Sequence, residues 1–336
     1  MKILLTGGNG FIGHNLAIHL KNKGHQVNIL DSLSVNNLLS FTDSEIVNQK
    51  LYRSILNERI NLLNSNNINL QVVDARDYHL YSKIYSSIDP EIVIHLAAVS
   101  HANKSNKDPH NTFDHSLRTL ENTLDVCRVN KTHVIYLSSS MVYGNFTSGI
   151  VNEKTPCNPI GIYGTLKYSG ELIVKAYNEV FDLPYTIIRP SALYGERCVS
   201  RRVGQAFIEN AIVGKDLTIN GDGEESLDFT YIEDLIQGII LSIINKKAIN
   251  EIFNITFGSS RKINSLAELV RNRFEGIKVK YNPRDDLMPE RGTLSVDKAK
   301  SLLGYQPSNP IEKGFTKYID WYKKFALDYP NLFQKT

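Results

Sequence analysis

Short apolar runs alternate with amphipathic segments along the first 190 residues. The amphipathic segments carry apolar side chains at intervals of three and four residues, which predicts helices. Strands that are apolar throughout and alternate with helices are typical of a parallel sheet covered on both faces, so the pattern predicts an α/β protein. The predicted strands cover 3–5, 27–30, 70–73, 91–96, 133–137 and 185–188, and the predicted helices cover 16–23, 51–63, 78–86, 112–129 and 163–181.

The stretch from residue 32 to residue 70 is long for a connection between two strands. Its first half is rich in Asn and Ser and predicts a loop. Its second half predicts a helix, because five side chains keep helical spacing. They are Leu51, Ile55, Arg59, Leu62 and Leu63.

The alternating pattern loosens after Pro190, although a further helix is predicted at 232–245. No flexible linker separates the two parts, so we expect them to pack together. We divide the chain into a first domain, residues 1–190, and a second, smaller lobe that is mainly residues 191–336. The helix at 232–245 is expected to pack back on the first domain.

Composition excludes several classes of protein. The chain has 336 residues, of which 42% are hydrophobic and 22% charged, as in soluble globular proteins. The net charge is only +3 and the basic pairs are scattered, so we expect no nucleic-acid partner. The three cysteines lie far apart and the nine histidines form no ligand motif, which predicts neither a disulfide framework nor a metal site.

Targeting and membrane segments are not expected either. The first residues run directly into a glycine turn and leave no room for a signal peptide. The longest nearly apolar run, residues 235–244, is too short to span a bilayer. We therefore expect a cytoplasmic protein without a membrane partner.

Three glycines, Gly7, Gly10 and Gly13, connect the first predicted strand to the first predicted helix. Glycines let the backbone turn tightly and approach a pyrophosphate, and the helix N-terminus offers it free N–H groups. Asp31 ends the next strand, where it can accept hydrogen bonds from adenosine ribose and repels a 2′-phosphate. No Arg or Lys follows within residues 32–35, so the pattern predicts NAD rather than NADP. The alternative is a glycine turn that binds no dinucleotide.

Asp74 and Ala75 follow the third predicted strand. An acidic side chain at the carboxyl end of that strand can meet the adenine amino group. The alternative is a helix N-cap, a role that Asp77 fills equally well. The sequence leaves both interpretations of Asp74 open.

Tyr163 and Lys167 lie four residues apart on a predicted helix and therefore share one face. An ammonium group beside a phenol favours the phenolate, which suits the tyrosine to acid–base chemistry. The serine run Ser138 to Ser140 follows the strand at 133–137, at the sheet edge where ligands bind in parallel sheets. A hydroxyl there can bond the same substrate oxygen as Tyr163, although a polar turn and a chance tyrosine–lysine spacing are the alternatives.

Taken together, these residues resemble the extended short-chain dehydrogenase/reductase family, and within it the nucleotide-sugar epimerases and dehydratases. The resemblance runs nearly end to end. It is carried by residues 6–13, Asp31, Asp74, residues 95–98, residues 138–144, Pro156, Pro159, Tyr163, Lys167, Arg189-Pro190, Tyr194-Gly195, Asp222-Gly223, residues 228–232, Asp234 and residues 303–307.

The resemblance implies a Rossmann-type, doubly wound parallel sheet that holds NAD and a smaller mixed C-terminal lobe that holds a nucleotide sugar. It implies that Tyr163 is the catalytic base, that Lys167 orients the cofactor ribose, and that Ser139 assists. The implied NAD-binding residues are Gly7, Gly10, Phe11, Ile12, Gly13, Asp31, Asp74, Ala75, Leu96, Ala97, Ala98, Tyr163 and Lys167. The implied substrate-binding residues are Ser100, Ser140, Arg202 and Arg291.

In this family NAD oxidises C4 of the sugar, and the fate of the 4-keto sugar differs between members. Members that remove water resemble one another in an Asp-Glu pair after the catalytic hydroxyl, where this chain has Ser140 and Met141. Methionine cannot transfer a proton, so we predict a 4-epimerase acting on a UDP-hexose or UDP-hexuronic acid for polysaccharide synthesis. The alternatives are a C4 dehydrogenase or ketoreductase of the same fold, and a noncatalytic NAD-binding protein.

Three positions depart from the family pattern, and one of them is Ser116, where an asparagine often contacts the nicotinamide side. Leu227 stands where an arginine usually grips the diphosphate, and Ala192 stands where an asparagine is usual. The resemblance therefore leaves the nucleotide open and shifts diphosphate binding toward Arg291, with Arg201 or Arg202. Relatives also suggest a homodimer built on the helices near 112–130 and 163–181. The apolar residues considered for that interface, which face either outward or toward the sheet, are Leu117, Leu120, Leu124, Ile173, Ala176 and Tyr177.

Overall fold

The computed structural model describes residues 1–42, 46–100, 102–284 and 288–333. Strands and helices alternate through the N-terminal part, as predicted. These elements are β1 (Lys2–Thr6), α1 (Phe11–Asn22), β2 (Gln26–Asp31), α2 (Gln49–Ser65), β3 (Asn69–Val72), α3 (Tyr78–Ile88), β4 (Ile92–His95), α4 (Ala102–Lys107), α5 (Pro109–Phe113), α6 (Thr119–Asn130), β5 (His133–Leu137), β6 (Ile150–Val151), α7 (Gly161–Phe181) and β7 (Tyr185–Arg189).

The remaining chain consists of shorter strands mixed with helices. These elements are β8 (Leu193–Tyr194), α8 (Val203–Ile212), β9 (Leu217–Asn220), β10 (Ser226–Leu227), β11 (Thr230–Tyr231), α9 (Ile232–Ile244), β12 (Glu251–Asn254), β13 (Arg261–Lys262), α10 (Ile263–Arg271), β14 (Val279–Asn282), β15 (Thr293–Leu294), α11 (Asp297–Leu303) and α12 (Ile311–Asp328). Short 3-10 turns lie at Leu38–Phe41, Ser140–Tyr143, Lys246–Ala248 and Pro330–Leu332.

The central sheet has seven strands in the order β12–β7–β5–β4–β1–β2–β3, and every neighbouring pair is parallel. From β1 the chain moves outward through β2 and β3 and then returns to place β4 on the other side of β1. Ligands of such sheets bind outside the carboxyl ends of the strands at this reversal. The predicted α/β, doubly wound fold is confirmed, and its reversal between β1 and β4 fixes where a site is expected.

Both faces of the sheet are covered, which explains why its strands are apolar throughout. Successive side chains of a strand point to opposite faces. Ile3 and Leu5 accordingly join a core with α1, α2 and α9, whereas Leu4 joins a second core with α3, α6 and α7.

The sheet continues past residue 190, the boundary of the predicted first domain. Its edge strand β12 pairs with β7 through residues Glu251 to Asn254, and α9 packs against α1. The chain thus returns twice from the second part to complete the first. The two-part division itself stays a prediction.

The single helix predicted at 112–129 is wrong in detail. The chain forms α5, a π-helical segment at Asp114–Arg118 and then α6. Asp108 caps α5, and the wider π turn shifts the helix face before α6 begins. Leu120 and Leu124 are fully buried against the sheet, so they face the core and not an outer surface.

The second lobe is assembled from two-stranded pairs, among them β9 with β14 and β10 with β13. A row of aromatic side chains from α12 packs on Tyr194 and Tyr231, at the junction with the central sheet. Asp234 of α9 accepts hydrogen bonds from the backbone of Ser308 and Asn309 at 2.9 and 3.1 Å. These contacts attach the C-terminal helix firmly to the rest of the molecule.

No helix in the ranges given above combines the length and the apolar character needed to cross a membrane. Within the same ranges, His, Cys, Asp and Glu side chains form no group of three or more arranged for a metal ion.

Candidate active site

The glycine turn after β1 is shaped by close backbone contacts. Gly7 has φ +79°, and a Cβ built on it would lie 2.6 Å from the amide nitrogen of Ala97. A Cβ on Gly13 would lie 2.4 Å from the carbonyl oxygen of Gly8. Any larger side chain would push β4 or α1 away from the turn. Glycine is therefore required here by packing as well as by phosphate approach.

The N-terminus of α1 is open to a ligand. Its N-cap is Gly10, which has no side chain to cap the first-turn N–H groups. Phe11, Ile12 and Gly13 form that first turn and line a cleft at the carboxyl edge of the sheet. Uncapped N–H groups and the positive end of the helix dipole attract anions. This arrangement fits the pyrophosphate of the predicted dinucleotide.

Asp31 lies in the same cleft at the end of β2. Its carboxylate accepts hydrogen bonds from the backbone of Asn9 at 2.9 Å and of Leu33 at 2.8 Å. Burial raises the pKa of Asp31, and these two bonds partly oppose the rise. The carboxylate is held in a fixed orientation at the position predicted for ribose recognition.

The far end of the cleft, beyond Asp31, is lined by Asp74, Ala75 and His115. Asp77 caps α3 by accepting from the backbone of Leu80 at 3.0 Å, so the cap role left open for Asp74 belongs to its neighbour. Burial alone raises the pKa of Asp74, but hydrogen bonds from Arg76 hold it below its usual value. Asp74 is thus a charged acceptor beside the predicted adenine position.

Ser139 and Ser140 begin a 3-10 turn directly after β5, the strand next to β4. The Ser139 hydroxyl accepts from the backbone N–H of Met141 at 3.2 Å, and the Ser140 N–H donates to the carbonyl of Pro190 at 2.9 Å. A Cβ on Gly164 would lie 2.8 Å from the Met141 carbonyl oxygen. Because Gly164 has no side chain, the first turn of α7, which carries Tyr163, packs closely on the serine turn.

Lys167 lies one helical turn after Tyr163 and is almost fully buried. Its Nζ donates to the carbonyl oxygen of Leu137 at 2.6 Å and lies 5.1 Å from the centre of the Tyr136 ring. Burial lowers the pKa of Lys167 to about 8, and the Glu171 carboxylate limits the fall. Lys167 is consequently mostly protonated at neutral pH, and its ammonium group is fixed at the end of β5.

A buried network lies behind this lysine. The Glu171 carboxylate accepts from the Ser138 hydroxyl at 2.5 Å and from the Nε and Nη2 of Arg189 at 2.9 and 2.6 Å. Arg189 also donates to the Tyr143 hydroxyl at 2.9 Å. Lys167 and Glu171, on two successive turns of α7, thereby hold Leu137 and Ser138 in place immediately before Ser139.

The predicted substrate residues lie in three places. Ser100 and Arg202 line the cleft together, with the Arg202 Nη2 donating to the Ser100 carbonyl at 3.0 Å. Ser140 is buried in the serine turn. Arg291 lies in the second lobe, 3.6 Å from Glu225, and burial lowers its pKa while the nearby charge of Arg202 adds to the effect.

Leu227, which departs from the family pattern, is buried in β10 and pairs in register with Arg261 of β13. The Arg261 guanidinium donates to Ser259 at 2.8 Å and lies 3.4 Å from Glu312. Strand β13 therefore carries Arg261 beside position 227, where the family pattern has an arginine and this chain has leucine.

All eleven NAD-binding residues predicted outside the Tyr163–Lys167 helix line one cleft, and Ser100 and Arg202 share it. Sequence reasoning missed other residues of that lining. They include Asn36, Arg59, His115, Thr119, Cys198, Val199 and Ser200. Arg59 could have been recognised from the sequence, because it is an arginine on the otherwise apolar face of α2. His115 and Thr119 could not, because the π turn that directs them to the cleft was not predicted.

Several known proteins resemble this chain over nearly its whole length. Residues 3–256 match the model of the NAD dependent epimerase/dehydratase family. A putative UDP-glucose 4-epimerase of Methanocaldococcus jannaschii is 31% identical over 96% of this chain and 98% of that protein. A dTDP-glucose 4,6-dehydratase of Haemophilus influenzae is 27% identical over 96% of this chain and 98% of that protein. The structure of UDP-glucuronic acid 4-epimerase from Bacillus cereus, with UDP-glucuronic acid and NAD, is 28% identical with a TM-score of 0.86, covering 97% of this chain and all of the other.

Proposed function

The chain belongs to the NAD dependent epimerase/dehydratase family, with NAD as its cofactor, and within that family we propose that it is a UDP-sugar 4-epimerase. The observation that carries this proposal is the serine turn. Ser139 caps its start, Gly164, the residue after Tyr163, packs on its Met141 carbonyl, and Lys167 donates to the Leu137 carbonyl just before it. Buried Met141 occupies the position where dehydratases resemble one another in an acid. The protein therefore has the groups for oxidation and reduction at C4 and lacks an acid there for removing water.

The proposed mechanism assigns one task to each residue. NAD, when bound in the cleft, would supply the hydride acceptor and donor for C4 of the sugar. Tyr163 removes the proton from the C4 hydroxyl as the hydride leaves, and gives a proton back to the C4 oxygen in the second half of the cycle. Ser139 hydrogen-bonds the same oxygen, and the Lys167 ammonium stabilises the phenolate of Tyr163. Rotation of the 4-keto sugar within the site would present its other face to the returning hydride and so invert C4.

We propose a UDP-hexose or UDP-hexuronic acid as substrate. Support comes from the relatives described above, a putative UDP-glucose 4-epimerase and a UDP-glucuronic acid 4-epimerase. Arg202 in the cleft and Arg291 in the second lobe are the proposed partners of the diphosphate, since guanidinium groups bind phosphate oxygens in pairs. Arg291 must exchange its contact with Glu225 to do so.

The proposal is tested by incubating the purified protein with a panel of nucleotide sugars and no added cofactor, followed by proton NMR and mass spectrometry. A product of unchanged mass with inverted C4 is the expected result. Loss of water would instead identify a dehydratase, and loss of two hydrogens with accumulated NADH would identify a C4 dehydrogenase.

Substitution of Tyr163 tests the mechanism on the same substrate. Tyr163→Phe removes the acid–base hydroxyl and is expected to lower kcat by about 100- to 10,000-fold. Tyr168→Phe, a half-buried tyrosine on the same helix, is the matched control and should retain activity. Full activity of the Tyr163 variant would refute the mechanism, because another group would then have to act as the base.

We also propose a cytoplasmic homodimer that supplies sugars for polysaccharide synthesis. The dimer is supported by exposed apolar side chains on the helices proposed for the interface, where Phe113 is 54% and Leu172 is 50% exposed. Light scattering of the purified protein measures its mass directly. A dimer for the unchanged protein and a monomer for the Leu172→Glu variant would support this face as the interface.

A further inference from the structure

Arg59 is a buried arginine on the side of α2 that faces the cleft. The residue is only 1% exposed, and the apolar residues Ile55, Leu56 and Leu63 of the same helix are buried with it. Three of its N–H groups have backbone partners. Nε and Nη2 donate to the carbonyl of Arg197 at 3.0 and 2.5 Å, and Nη1 donates to the carbonyl of Asn9 at 3.3 Å.

These partners leave the charge of Arg59 without a direct counter-ion. Among the residues that the structure describes, no Asp or Glu oxygen lies within 4.0 Å of its guanidinium, and its neighbour Glu58 pairs with Arg197 instead. Burial lowers the pKa of Arg59 to about 10, against which Cys198 and Asp31 raise it, so the group stays charged at neutral pH. A buried charge that lacks an ion pair is costly and calls for an anion nearby.

The location of Arg59 indicates which anion this is. Asn9 lies in the glycine turn between Gly8 and Gly10, and Arg59 lines the cleft together with Gly7, Gly10 and the first turn of α1. Those are the groups placed to receive the pyrophosphate of NAD. The other partner, Arg197, begins the loop whose residues 198–200 and 202 line the same cleft from the second lobe.

We propose that Arg59 is a cofactor-binding residue that supplies the fixed positive charge for the pyrophosphate of NAD. Two of its five N–H groups remain for this purpose after the three backbone bonds. The proposal rests on NAD as the cofactor and not on the identity of the sugar. A residue that holds the glycine turn and the 197–202 loop at once also keeps the two walls of the cofactor cleft together.

A series of ligands isolates the pyrophosphate from the rest of NAD. The full-length protein is freed of NAD and titrated calorimetrically with adenosine, ADP and NAD. Arg59→Gln is expected to weaken ADP and NAD by about 10- to 100-fold, as expected for lost charge-assisted hydrogen bonds, while adenosine affinity stays within about twofold. Arg53→Gln, an exposed arginine on the same helix, removes the same net charge and is expected to change none of the three affinities.

Arg59→Lys covers the case in which the glutamine variant does not fold. A lysine keeps the charge but loses the planar fork, so ADP and NAD should weaken by about threefold to tenfold with adenosine unchanged. An equal loss for adenosine and ADP in either variant would mean a structural role and would overturn the proposal. So would unchanged affinities for ADP and NAD in a folded Arg59→Gln variant, because the pyrophosphate would then not depend on Arg59.

Discussion

At the scale of single residues, Lys167 combines burial with a charge that the proposed chemistry needs. Its ammonium is fixed on the Leu137 carbonyl, and burial lowers its pKa to about 8. Lys167 is therefore charged below about pH 8 and loses its proton as the pH rises through that value. Because the charged form stabilises the phenolate of Tyr163, the two groups work together only below this pH.

We therefore expect kcat/KM for the sugar to fall as the pH rises above about 8. The profile is measured on the wild-type protein and on Lys167→Arg, which keeps its charge throughout the range. The arginine variant should have a lower maximum, because the site is fully packed, and no fall near pH 8. A wild-type profile that stays flat to pH 10 would contradict the assignment of Lys167.

Some site residues were predictable from the sequence because their roles depend on local geometry. Gly7 and Gly13 have to be glycine at a strand–helix turn, and Asp31 follows from the end of the next strand. Arg59 and His115 reach the cleft through contacts between distant segments. Local patterns do not carry that information, so these residues emerged only from the fold.

At the scale of elements, helix α7 and strand β5 are joined by charges buried between them. Glu171 and Arg189 are 0% and 3% exposed as side chains and form a two-bond ion pair. Glu171 also accepts from Ser138, so the same carboxylate holds the strand end that leads into Ser139. Removing either partner leaves the other charge buried without compensation.

Glu171→Gln is accordingly expected to lower the free energy of unfolding by about 3–5 kcal/mol, the usual result of breaking a buried pair on one side. The double variant Glu171→Met with Arg189→Met should lose less than the sum of the two single changes, since neither charge is then left alone. Denaturant unfolding measures Glu171→Gln, the two single methionine variants and the double variant. Additive losses would show that the two side chains do not act as a pair.

Element boundaries were predicted well where the apolar pattern was strong, as in α9, which was predicted at 232–245 and is observed at Ile232–Ile244. The region 112–129 was predicted as one helix because its apolar spacing shows no break. The π segment at Asp114–Arg118 inserts an extra residue into the turn, which helical spacing alone does not reveal.

At the scale of the whole molecule, the parallel sheet depends on residues on both sides of the predicted domain boundary. Strand β7 is fully buried, and β12 forms its outer neighbour. Helix α9 covers the same core as α1 and α2. The alternating pattern in the first 190 residues predicted the fold class, but a short strand at Glu251–Asn254 in the mixed tail gave no sign of joining that sheet.

A fragment of residues 1–190 is therefore expected not to fold by itself. It would expose one edge of β7 and the apolar surface normally covered by α9, and exposed strand edges promote aggregation. Expression of this fragment beside a fragment of residues 1–256 tests the expectation by solubility and circular dichroism. A soluble, cooperatively melting 1–190 fragment would show that the boundary marks an independent unit.

Because β12 lies late in the chain, it is synthesised well after the strand that it pairs with. Between the end of β7 at Arg189 and the start of β12 at Glu251 the ribosome adds roughly 60 residues, which takes about 3–12 s at ordinary translation rates. Throughout that interval the nascent sheet has an open hydrogen-bonding edge at a buried, apolar strand. The newly made chain is thus most vulnerable to misassembly during synthesis of α8 and α9, a period in which chaperone binding to the unfinished sheet would matter most.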